Sequence, residues 1–144
     1  MKIDGKRKEF CMEKNIIEEK INEYFSKQDS ITAVYIFGSF LEDRFKQQSD
    51  IDIALIFNEN IEKYKKFKFR LQFIKGLEKL LQREVDIIDF EEVSLKMQHQ
   101  ILSGRLILCK NNVRRVMLEK KSMLNYIDMR HFYDLYENNL GKRF

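Results

Sequence analysis

The 144-residue chain has no proline, only five glycines and only two cysteines. A chain with so few breakers must be built from long regular elements joined by short loops. No linker, low-complexity tract or internal repeat interrupts it. Cys11 and Cys109 lie far apart without metal-ligand spacing, which argues against a zinc site and for two reduced thiols in a cytoplasmic protein. No run approaches the ~18 apolar residues that a membrane helix requires. The N-terminal stretch Met1–Glu9 is charged and lacks the apolar centre of a secretory signal. A cytoplasmic location without a membrane partner is therefore expected.

What is present points to one soluble folded domain over residues 1–144. Hydrophobic residues make up 44% and charged residues 35%, enough of the first for a core and too many to be disordered. A chain of this length buries a sufficient share of its surface without disulfide staples. The formal charge of +4 is mild. It permits a polyanionic ligand without demanding one, and direct nucleic-acid binding is not expected.

Hydrophobic spacing predicts the elements. Phe10 to Lys27 repeats apolar residues at three- and four-residue steps, as an amphipathic helix does. Thr32–Phe37 is short, apolar and β-branched and stops at Gly38-Ser39, which predicts a buried strand and a tight turn. Residues 40–47 read as a short helix and Asp50–Phe57 as a second strand. Ile61–Gln82 reads as a long helix with Phe67, Leu71, Ile74, Leu77 and Leu81 on its inner face. Val85–Phe90 is a third strand, Ser94–Ser103 a helix closed by Gly104, and Leu106–Cys109 a fourth strand. The last helix, 113–140, carries Met117, Met123, Leu124, Ile127, Phe132, Leu135 and Tyr136 as its apolar set. The expectation is an α+β fold with a small mixed sheet of about four strands and packed helices: a core over about 30–110, then a helical segment at 113–140.

The chemistry concentrates between Gly38 and Asp89. Residues two apart on a strand share a face, so Asp50 and Asp52 are expected side by side against an apolar core. Two such carboxylates repel, and a hard divalent cation removes the penalty. Gly38 permits a sharp turn and close approach of an anion, and Ser39 adds a hydroxyl at a helix start; together they read as a phosphate cradle. A third acid lies in the later strand. Asp86 is preferred to Asp89 because Asp89 sits at the strand end, where solvation is easier.

The order and spacing of these pieces, Phe37-Gly38-Ser39-Phe40, then Ser49-Asp50-Ile51-Asp52-Ile53, then Val85-Asp86-Ile87-Ile88-Asp89, resemble the nucleotidyltransferase superfamily with the DNA polymerase β-like fold. Within it the chain is similar to the minimal nucleotidyltransferases of the MntA type, antitoxins paired with HEPN-domain toxins. The stretches Ile101–Leu108 and Tyr126–Arg130 are similar to that group's ending. One departure stands out: Phe40, Glu42 and Asp43 occupy positions where many members carry an arginine and a glycine, and Arg44 and Lys46 are the nearest bases.

The resemblance implies transfer of AMP from ATP to a tyrosine hydroxyl of a HEPN RNase toxin, with release of pyrophosphate. It implies Asp50, Asp52 and Asp86 as catalytic residues and as ligands to two Mg²⁺ ions, with Mn²⁺ an alternative, and Gly38 and Ser39 as the triphosphate holders. The partner would be the HEPN toxin in a hetero-oligomer. No Arg-x(4–6)-His motif of the HEPN type occurs, so this chain reads as antidote rather than toxin. Two alternatives stand beside it: an antitoxin that neutralises by occlusion alone, and a small-molecule nucleotidyltransferase of the antibiotic-modifying kind. Elsewhere, the run Lys63, Lys65, Lys66, Lys68 and Arg70 reads as a solvated helix face. His99 and His131 read as isolated, and Tyr126, Phe132, Tyr133 and Tyr136 mostly as core by spacing, with a partner interface for some of them as the alternative.

Overall fold

The computed structural model describes residues 2–42 and 49–142, with side chains described between residues 13 and 139 of those ranges. Four strands form one sheet in the order β3-β2-β1-β4. They are β1 (Ile31–Phe37), β2 (Ile51–Phe57), β3 (Val85–Asp89) and β4 (Arg105–Cys109). β1 runs antiparallel to both β2 and β4, while β2 and β3 are parallel. The parallel pair requires a crossover, which helix α2 (Lys63–Leu81) provides. The mixed sheet of four strands expected from the sequence is thus present, as is the alternating order of elements.

Strand alternation divides the core. Val34, Ile36, Ile53, Leu55, Phe57 and Ile87 face one side, under α1 (Lys2–Ser26) and α2. Ala33, Tyr35, Phe37, Ala54 and Ile56 face the other, under α3 (Leu95–Leu102) and the start of α4 (Asn112–Lys142). Ser94 caps α3 by accepting a hydrogen bond from the Met97 amide. α3 ends on Ser103 as its cap, one residue before the Gly104 expected in that role. Gly104 is instead needed for close approach, because a Cβ there would meet the Ile36 carbonyl at 2.4 Å.

Three expectations about packing are corrected. On α2 Ile74, Leu77 and Leu81 face the core as expected, but Phe69 and Phe73 join them and Phe67 and Leu71 are exposed. Both stripes are apolar at helical spacing. The one that is buried meets aromatic partners: Tyr24 and Phe25 of α1 stand edge-on to the Phe73 ring, and Phe69 stacks on Phe57 and Phe73. The helix stops one residue early because Gln82 turns left-handed, with φ of 54°. On α4 the expected apolar set is exposed: Met117, Met123, Leu124, Ile127, Phe132, Leu135 and Tyr136 all lie outside the core, as does Tyr133. Only the first half of α4 is tied down. Tyr35 Oη donates to Glu119 (2.5 Å), Arg115 Nη1 donates to both Glu119 oxygens (3.0 and 3.1 Å), and Ser122 Oγ donates to Gln98 (2.7 Å). Burial, then the Glu119 carboxylate, raise the Tyr35 phenol well above its usual pKa, so it stays a donor. Finally, of the short helix expected over 40–47, Phe40 and Leu41 lie in a 3-10 turn, Gly38–Leu41, and 43–47, with Asp43, Arg44 and Lys46, lie outside the described residues.

Candidate active site

The sheet register assembles the site. Asp52 sits opposite Phe37 on β1 and opposite Asp86 on β3. Phe37, Asp52 and Asp86 therefore form one row across three strands, on the face covered by α3 and α4. Asp50 precedes β2, whose first residue is Ile51, so it is a loop residue at the strand mouth rather than part of the strand. Gly38 follows Phe37 directly and has φ of +76°, a left-handed value that favours glycine. A Cβ at position 38 would stand 2.6 Å from an Asp52 carboxylate oxygen. The turn that begins at Gly38 is thus packed onto the acid in the middle of the row.

The charges act on one another. Asp52 has its pKa raised, first by burial, then by the charge of Asp86 and then by that of Asp50. The three candidate acids are thus electrostatic neighbours, and their repulsion falls on the central one. Such a set fits a hard divalent cation, because oxygen donors of like charge are what Mg²⁺ or Mn²⁺ prefers. The side chains are not drawn together as a finished ligand set; among the described residues no group of three or more His, Cys, Asp or Glu side chains has metal-binding geometry. Ser39 is half-buried in the same turn, and no side chain caps the turn. A four-residue turn has little macrodipole, so the helix-dipole part of the expected phosphate cradle is corrected. What the turn offers an anion is its own amides and a hydroxyl.

A cleft of about 640 Å³ opens over the row, within the range for a nucleotide-sized ligand. Gly38, Asp52 and Asp86 line it together with Ile88 of β3 and Met97, His99, Gln100 and Ser103 from α3 and its cap. Sequence reasoning missed the α3 contribution. The signal was there in part: Met97, Gln100 and Ser103 recur every three residues and so share one side of a helix. His99 is not isolated. Its ring stacks on Tyr126 at 4.1 Å with a 6° interplanar angle, joining the cleft rim to α4. His131 is exposed.

Asp89 is corrected as well. It is 2% exposed, not solvated, while Asp86 is exposed. Alternation turns Asp89 to the opposite face, where it accepts from the Glu91 amide at 3.0 Å and pairs with Lys66 Nζ at 3.4 Å. Burial still raises its pKa, with the amide and Lys66 working against that. Lys66 consequently leaves the solvated basic run to which the sequence assigned it: its side chain is 13% exposed. Lys63 contacts Glu92 at 3.6 Å. The preference for Asp86 as partner of Asp52 agrees with the register, but for alternation rather than solvation.

Comparison with known proteins bears on this arrangement. The family model described as Polymerase beta, Nucleotidyltransferase matches residues 19–113, about two-thirds of the chain and all of the acid row. The chain belongs to this family. As a polymerase-β-type nucleotidyltransferase it has relatives of two kinds. A Methanocaldococcus jannaschii protein named as a putative protein adenylyltransferase is 38% identical over 58 residues; the match spans 40% of this chain and 56% of that protein. Among solved structures, a chain of the MntA-HepT toxin-antitoxin crystal structure superposes with a TM-score of 0.62 at 18% identity, covering 88% of this chain and 97% of the other. A chain of a toxin-antitoxin structure with AMP-PNP gives 0.67 at 19% identity, covering 85% and 97%. A chain of the complex of tri-AMPylated Shewanella oneidensis HEPN toxin with MNT antitoxin gives 0.64 at 19% identity, covering 88% and 98%. At these identities the structures share the fold of this nucleotidyltransferase.

Proposed function

We propose that this nucleotidyltransferase transfers the adenylyl group of ATP to a tyrosine hydroxyl of a HEPN-type RNase toxin, and so acts as its antitoxin. The reading is carried by the acid row: Asp52 set against Asp86 by the strand register, with Gly38 packed on Asp52. The relatives support it, one being named for protein adenylylation and one being a complex that contains an AMPylated toxin.

In the reaction the tyrosine oxygen forms a bond to the α-phosphorus, the bond from that phosphorus to the bridging oxygen breaks, and pyrophosphate leaves. Gly38 and Ser39 would bind the terminal phosphates through the turn amides and the Ser39 hydroxyl, which fixes the leaving group in line. Asp50, Asp52 and Asp86 would hold divalent cations, and carboxylate oxygens of this kind suit Mg²⁺. When bound, such ions supply charge neutralisation and lower the pKa of the attacking phenol, which is ~10 in water. Asp86 is exposed and stands at the cleft wall, where it would accept the phenol proton. The α3 side of the cleft, with Met97 and Gln100, would take the nucleoside.

The test is incubation with α-labelled ATP, Mg²⁺ and the HEPN-type protein encoded in the same genome. Label is expected on a tyrosine of that protein, and Asp50→Asn/Asp52→Asn is expected to lower transfer by at least 1,000-fold. If the double variant neutralises the toxin as well as the parent does, neutralisation is by occlusion and the reading fails.

A further inference from the structure

The second half of α4 has no counterpart in the rest of the fold. From Ile127 to Asn139 every residue except Met129 is exposed. Thirteen helical residues span roughly 20 Å. A helix this short is marginal in water by itself, and an ordinary surface helix keeps its apolar residues in one stripe. Here that stripe faces solvent. At 100° per residue, Leu135, Phe132, Tyr136 and Tyr133 fall within an arc of about 160°, with Arg130, Asp134 and Glu137 on the remaining side. Phe132 is 67% and Tyr136 55% exposed. An apolar stripe this wide belongs against another surface.

We infer that this segment is an arm that inserts into an apolar groove of the protein that presents the acceptor tyrosine; the inference rests on the function proposed above. Three observations choose that occupant. The first is position: His99 lines the catalytic cleft and stacks on Tyr126, the residue that immediately precedes the arm. A protein gripping the arm is thereby held beside the acid row. The second is charge. The arm carries Asp128, Asp134 and Glu137 against Arg130 alone. Two arms laid together would bring net charges of like sign close to one another. A partner groove with a basic rim meets that charge and covers the apolar stripe. The third is area. An aromatic side chain buries ~150–250 Å², so the exposed parts of Phe132, Tyr133 and Tyr136 amount to roughly 350 Å². With Leu124, Ile127 and Leu135 the arm offers most of the ~800 Å² per partner that a standard interface buries.

The experiment uses the full chain and the HEPN-type protein encoded in the same genome, with binding measured by isothermal titration calorimetry. Ile127→Glu/Leu135→Glu is expected to weaken binding at least 100-fold, and Ile127→Ala/Leu135→Ala about 10-fold. Both variants should bind ATP as the parent does and keep its far-ultraviolet spectrum, since neither side chain is in the core. The chain alone should be monomeric by light scattering. Unchanged partner affinity in both variants, or a dimer of the chain alone that the Glu variant splits, overturns the arm as the partner's seat while leaving adenylyl transfer in place. Failure of the parent chain to bind or label the HEPN-type protein instead overturns the proposed function, and the arm assignment with it.

Discussion

Asp52 concentrates what single residues can do in this molecule. Its carboxylate is pressed by burial and by two neighbouring acids. A carboxyl whose folded pKa lies above its unfolded value binds its proton more tightly in the native state. Ionising it therefore costs stability. The cost begins as pH rises through the ordinary aspartate value near 3.8, grows up to the raised native value, and stays in full above it. At neutral pH without divalent ions, Asp52→Asn is expected to raise the melting temperature by roughly 1–2 °C, a small rise because the group is still partly hydrated. The gain should vanish below about pH 3.5, where both forms are neutral. Calorimetry across pH 3–8 measures it, and an equal melting temperature for both proteins at pH 7 contradicts the electrostatic account. This level was partly legible in the sequence: the face of Asp52 follows from alternation along β2, whereas Asp50 precedes the strand and its place does not. What the spacing hid was solvation. Asp89 looked like the exposed acid, yet Lys66 reaches it from α2, a contact that only the parallel crossover creates.

At the scale of elements, every strand and every long helix was visible in the hydrophobic pattern; most boundaries were off by one or two residues, but α1 begins at Lys2, eight residues before the expected Phe10. The error lay in choosing faces. α2 has apolar residues at both Phe67/Leu71 and Phe69/Phe73/Leu77, and periodicity cannot rank two stripes that both fit 3.6 residues per turn. The tie is broken by α1, whose Tyr24 and Phe25 supply the rings that Phe73 meets. Urea unfolding separates the two faces. Phe73→Ala should cost about 3–4 kcal/mol, since it empties a site that is 1% exposed. Leu71→Ser on the outer face should stay within about 0.5 kcal/mol. Similar costs for the two substitutions would mean that α2 is rotated from the position described. The α3 side of the cleft was the other omission. A short helix with one histidine has no motif, and its place over the acid row follows from topology alone.

For the whole molecule the dividing line falls within α4, at Tyr126. Up to that residue the helix is fastened to β1 by Glu119, which Arg115 of the same helix also holds, and to α3 by Ser122. Beyond it, among the described residues, every side chain of 127–139 except Met129 is exposed. Amide hydrogen exchange of the isolated protein should therefore show slow exchange through about Tyr126 and exchange several orders of magnitude faster over 127–139. Uniform protection along all of α4 would show that the arm is already covered in the free protein. The sequence could not reveal this boundary. Its apolar residues continue at helical spacing to Tyr136, and a pattern records what must be buried without saying which molecule does the burying.

The contact between Gly38 and Asp52 also constrains how the protein can change. Any side chain at position 38 needs the volume that the Asp52 carboxylate fills. The carboxylate must swing aside to make room, which takes the central acid out of the row, and the left-handed backbone at position 38 is strained for any other residue. In a saturation library covering both positions, the variants that keep transfer activity should therefore keep Gly38 together with Asp52.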